Sequence, residues 1–142
     1  MICYRLGSMK DKRYIGSNEI VIEGDLVTID KQREWTENLM NELLALFAEI
    51  LRKEGRLFVI TVPDRKLTVT AAARRRAAEW FNEHDVVAIA LVNASVTSRA
   101  VAALTFGAVN LFARKPLNIR NCVTIDEARA FIDEERVRHF GV

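Results

Sequence analysis

Two cysteines and two histidines are all that this 142-residue chain holds of the side chains that most often bind metals or carry covalent chemistry. Cys3 and Cys122 have no CxxC spacing and are too few for a disulfide scaffold, so they read as reduced thiols, with Cys122 a small buried hydrophobe. His84 stands at a helix end beside Asp85 and His139 in the charged C-terminal stretch. Neither has a nucleophile or a ligand at metal-binding spacing. The expectation is no catalytic residue, no metal and no cofactor, and hence a protein that is not an enzyme. Gly-rich phosphate loops are missing too. A formal charge of +2 is too small to argue for a nucleic-acid partner, which wants a concentrated basic face. The longest uncharged run, Ala100 to Ala113, falls short of the roughly 20 residues that span a bilayer, and Met1 to Arg13 carries no apolar signal-peptide core. These features lead us to expect a soluble, cytoplasmic protein without a transmembrane segment.

What the chain does have is hydrophobic patterning. Half of its residues are hydrophobic and 28% are charged, the balance of one globular domain over 1–142 with a real core. The organising stretch is Arg56 to Val62, an apolar run rich in β-branched residues that stops at Pro63-Asp64. Its lack of polar alternation predicts a strand covered on both faces. Around it the order reads hairpin, α, β, α, β, α, β, α. Glu19–Glu23 and Leu26–Asp30 flank the tight turn Gly24-Asp25. Thr36 caps a helix with a broad apolar face that ends at Gly55, and Thr70 caps a second helix to about Glu83. Val86–Val92 is a second buried strand, closed by Asn93-Ala94-Ser95. Ser95 caps a third helix toward Lys115, which Pro116 ends. Asn118–Val123 is a polar, edge-like strand, and Thr124 with Glu127 has capping-box spacing for a last helix. Residues 1–18 read either as poorly ordered or as an edge strand around Arg13–Ile15. The fold class is α/β: a single-layer mixed sheet of about five strands, an N-terminal hairpin followed by parallel βα units, packed with four helices.

In such sheets, partners meet the loops at the carboxyl ends of the strands. That rule nominates the expected loop Pro63–Val69 together with Asn93 and Ser95. Candidate partner-binding residues are Asp64, Arg65, Arg74, Arg75, Asn93 and Ser95. Arg74, Arg75 and Arg76 fan around the second helix and read first as a solvated face. The third helix is apolar almost all round. Ala102, Phe106, Val109 and Ala113 form a stripe nearly opposite its core stripe. Two readings stand: cover by a neighbouring segment of the same chain, or a surface for self-association or lipid.

The strand ending in Val62-Pro63-Asp64, the helix Ala72–Trp80, the strand ending in Ala90-Leu91-Val92, the small-residue apolar helix, Pro116–Arg120 and Thr124–Ile132 together resemble the STAS domain. They are closer still to the compact SpoIIAA-like proteins grouped with STAS and CRAL-TRIO folds. The resemblance spans roughly residues 13 to 137. It implies a bacterial, non-enzymatic protein-binding regulator of the anti-sigma-factor-antagonist type, or else a small carrier of a lipid or acyl ligand of CRAL-TRIO character. In phosphorylated members a Ser or Thr at the start of the second helix takes the phosphate, which points to Thr68 and Thr70. Here that place reads Leu67-Thr68-Val69-Thr70, without the Asp-Ser-Ser-Gly-like motif.

Overall fold

The computed structural model describes residues 10–93 and 117–141 of the chain. Strands β1 (Asp11–Ile15), β2 (Asn18–Glu23) and β3 (Leu26–Trp35) lead into helix α1 (Glu37–Glu54). Strand β4 (Phe58–Val69), helix α2 (Ala71–Glu83), strands β5 (Ala88–Val92) and β6 (Ile119–Cys122), and helix α3 (Ile125–Phe140) follow. The class is α/β, as the alternation of patterns implies. The sheet has six strands rather than five because Asp11–Ile15 pairs with β2 as a charged edge strand. Three helices lie among the described residues. The expected third helix, with Ser95, Ala102, Phe106, Val109 and Ala113, falls outside them.

Sheet order equals chain order, β1-β2-β3-β4-β5-β6. The first three strands are antiparallel neighbours, and β3 to β6 run parallel. Two tight turns make the antiparallel part. Glu23 pairs with Leu26 across Gly24-Asp25, where Gly24 takes the φ of 64° that a side chain would resist. Parallel pairing requires crossovers, and α1 and α2 supply two of them. Both lie on one face, burying Leu43, Phe47, Ala77, Trp80 and Phe81 against Val27, Ile29, Val59 and Ile89. Helix α3 covers the other face, with Phe131 and Ile132 against Phe58, Ile60 and Ala90. Neighbours along β4 therefore enter different cores. That is why its sequence runs apolar without alternation.

Local signals fix the helix ends. The hydroxyls of Thr36, Thr70 and Thr124 accept from the amides three residues on, at 3.3, 3.0 and 3.1 Å. Glu127 returns its carboxylate to the Val123 amide at 3.2 Å, one residue earlier than a standard capping box would place it. The N-terminal rim is tied by charge. Asp25, buried in the hairpin turn, receives Arg56 at 2.8 Å and Arg136 of α3 at 2.6 Å, while Arg129 reaches Glu23 at 2.7 Å. Guanidiniums also lie over the rings of Phe58 and Phe140. The network clamps α3 onto the hairpin.

Two buried polar side chains were not anticipated. Asn18 is fully buried, and its amide makes four hydrogen bonds: to the carbonyls of Ile15 and Glu34, and from the amides of Arg33 and Glu34. It pins the β1–β2 turn to the far end of β3. Thr28 stands on the α3 side of the sheet, and its hydroxyl is buried without a hydrogen-bond partner. No helix among the described residues is long and apolar enough to cross a membrane.

Candidate functional site

The parallel strands finish at one rim. Thr61 pairs with Leu91 and Val92 with Cys122, so Val62, Val92 and Cys122 end side by side. Asn93 then turns the chain with a φ of 48°, a left-handed conformation that asparagine tolerates, and its amide donates to the Cys122 carbonyl at 2.8 Å.

The expected loop Pro63–Val69 is not a loop. β4 runs on past the end of β5 and pairs with an equally unexpected extension of β3, Gln32 with Pro63, Glu34 with Thr68 and Trp35 with Val69. Between Pro63 and Thr68 the strand carries surplus residues, a bulge whose turn is made by Asp64 accepting from the Lys66 amide at 3.0 Å. The proline that reads as a stop signal sits where the ladder is already irregular, the position strands allow it.

A second irregularity faces the first. Along β2, Glu19 pairs with Lys31 and Ile20 with Ile29, which leaves Asp30 as the extra residue of a bulge in β3. Against β4, Ile29 pairs with Thr61 and the next partners are Gln32 and Pro63. One added residue reverses the alternation, so Gln32 is brought to the side of Ile29 instead of the opposite face. Burial, and then the hydrogen bond and charge of Glu19, push the Asp30 carboxyl above its ordinary range. Glu19 is held below its own range, chiefly by that hydrogen bond. Asp30 is thus the member of the pair that keeps the proton longer.

Beneath these bulges, between the sheet and α1 and α2, is a cavity of about 90 Å³. Trp35, Leu44, Phe47 and Phe81 form its apolar depth. Gln32 and Thr61 are the polar side chains on its lining, and Pro63 and Leu67 stand at the β4 extension.

The nominated residues among those described lie along this rim and the start of α2, with different employment. Arg65 is exposed, as are Thr68 and Arg75. Asp64 is half-buried and faces Arg33 across the two extensions at 3.8 Å. Arg74 donates to the Val69 carbonyl at 3.0 Å, and Arg76 donates to Asn41 of α1 at 2.9 Å. Those two arginines brace α2, leaving Arg75 to solvent. The Thr70 hydroxyl is occupied as the helix cap. Ser95 lies outside the described residues.

Comparison with protein-family models, with curated proteins and with solved structures found no match for this chain. Cys3 lies outside the described residues, and the reactive side chains among those described are engaged elsewhere. His84 stacks on Trp80 at 4.1 Å between ring centroids, with its Nδ1 2.9 Å from the Trp80 carbonyl. His139 lies 3.5 Å from the buried Glu135, which also accepts from Asn118. Burial, and next the Glu127 charge, push the Cys122 thiol up and away from the thiolate a nucleophile needs. Sequence reading missed Gln32, Thr61 and the cavity. An isolated glutamine in a strand carries no signal of its own, because its direction depends on a bulge that only pairing defines.

Proposed function

We propose that this chain is a non-enzymatic, STAS-like interaction module whose partner-binding surface is the carboxyl-end rim, centred on the β4 extension. The observation that carries the reading is the exposed set of cations there. Arg33, Arg65, Lys66 and Arg75 are all solvent-facing, against the exposed Glu34 and the half-buried Asp64 that already faces Arg33. A local excess of one sign steers and selects a partner of the other, so the partner is an acidic protein face. Regulation by phosphate, if the protein works as an antagonist-type switch, falls to Thr68, since it is exposed and Thr70 is committed to the cap.

The test is capture from the source cell with the wild-type chain and with Arg65→Glu/Arg75→Glu. A partner held by the wild type at low salt, released as salt rises and lost in the charge-reversed variant, supports the reading. Equal retention by both chains refutes it. Intact-mass measurement across growth conditions decides the Thr68 proposal; unmodified chain throughout removes it. The lipid-carrier reading finds less support among the described residues, because about 90 Å³ is far below the roughly 300–1,000 Å³ of pockets that enclose larger ligands.

A further inference from the structure

We propose that the cavity under the two bulges is a binding site for a small, uncharged, mostly apolar molecule carrying one hydrogen-bonding group, with Gln32 and Thr61 as its polar anchors. The inference goes beyond the interaction surface above and stands on separate observations. First, the depth of the cavity is built from large apolar side chains, Trp35, Leu44, Phe47 and Phe81 among them, so whatever fills it is apolar over most of its surface. Second, Gln32 and Thr61 line the same cavity, are half-buried, and make no side-chain hydrogen bond to another described residue. Their polar atoms remain open to water, so an occupant that replaces that water meets three N–H or O–H donors and two acceptor oxygens.

Third, Gln32 reaches this side through the Asp30 bulge; with a regular β3 the alternation would send it to the opposite face and Lys31 would take its place. Bulges that re-aim one side chain are a recurrent feature of binding sites. The neutrality of the ligand follows from the anchors. An amide and a hydroxyl cannot compensate the desolvation of a carboxylate or an ammonium, and no cationic or anionic side chain among the described residues lines the cavity. Size follows from volume: an apolar cavity of about 150 Å³ holds benzene, so 90 Å³ encloses about four heavy atoms, and one or two more can stand in its open mouth. A carbonyl, alcohol or amide at one end satisfies the anchors.

Three probes of that size separate the terms: cyclopentanol, cyclopentane and butyrate, titrated into the full chain while backbone amide shifts are followed by NMR. The expected result is a saturable shift with cyclopentanol, largest at Gln32, Thr61, Leu67 and Leu91. Butyrate is expected to bind at least tenfold more weakly. In Gln32→Leu/Thr61→Val, cyclopentanol is expected to lose at least fivefold in affinity while cyclopentane binds as before. No saturable shift with cyclopentanol up to its solubility overturns the proposal, as does butyrate binding equally well. Unchanged cyclopentanol affinity in the folded double variant overturns the assignment of anchors. Should that variant not fold, the comparison of cyclopentanol with butyrate on the wild-type chain decides alone.

Discussion

Replacing Asn18 by alanine tests whether one buried amide holds the irregular end of the sheet in place. Its side chain makes four hydrogen bonds to backbone groups of Ile15, Arg33 and Glu34, at 2.9, 2.7, 2.6 and 3.0 Å. A buried polar group left without a partner costs about 1–3 kcal/mol. Only the bond to Ile15 is fully buried, and the others border solvent, so water recovers part of the loss at Arg33 and Glu34. Removing the asparagine also removes its own desolvation. The net expectation is a loss of about 3 kcal/mol. With a urea slope of about 2 kcal/mol per molar, the midpoint drops by about 1.5 M at an unchanged slope. Ser17→Ala, one residue away and exposed, serves as the control and is expected to stay within about 0.5 kcal/mol of wild type. A midpoint for Asn18→Ala within about 0.5 M of wild type would show that the extension of β3 stands without this brace, and the reasoning would fail.

Four other outcomes follow from the same structure. Asp25→Ala strands the guanidiniums of Arg56 and Arg136, whose side chains are 27% and 22% exposed; discounting for that exposure, unfolding in denaturant is expected to show a loss of about 2–3 kcal/mol, little changed by added salt. Thr70→Ala removes a helix cap and is expected to cost about 1 kcal/mol, with Thr70→Ser close to wild type; equal midpoints for both variants would mean the cap is idle. Thr28→Val replaces an unpartnered buried hydroxyl by a methyl of the same shape and is expected to stabilise by about 1 kcal/mol, read as a higher melting temperature. The Asp30 carboxyl has a folded pKa above its unfolded one, so the folded chain holds the extra proton and the contribution of Asp30 is lost as pH rises from its unfolded value through the folded one. Glu19 acts in the opposite sense, its contribution being lost as pH falls through its lowered value. Asp30→Asn keeps a neutral donor to Glu19 and is expected to abolish the loss on the alkaline side; denaturation midpoints that decline with pH as in wild type would contradict the shared-proton arrangement.

The regular parts of the molecule were legible because each rests on a local cause. Thr36, Thr70 and Thr124 announce helix starts through their capping chemistry, and Gly55 announces an end. The unbroken apolar run of β4 announces burial on two faces. What stayed hidden was register. Pro63 and the charged residues after it carry every local mark of a loop, yet pairing with Gln32–Trp35 turns them into strand. The bulge at Asp30 is likewise defined by two neighbouring strands and by nothing in the residues beside it. Arg74 and Arg75 look alike in sequence and differ only because one of them finds the Val69 carbonyl. The rim where the parallel strands end was therefore legible, while the make-up of the residues along it was not, since its shape comes from two misaligned ladders.

A sheet laid down in chain order has a consequence for how the molecule is made. As synthesis proceeds from the N-terminus, every new strand docks beside one already in place, and none has to be threaded between two others. The exception is the clasp at the opposite rim. Asp25 belongs to the second turn of the chain, whereas Arg136 arrives with the last helix. Until that helix is released the early turn keeps a single guanidinium for its carboxylate, so closing this rim of the sheet is a late event, and a chain shortened before Arg136 would keep its order of strands but only the Arg129–Glu23 part of the latch.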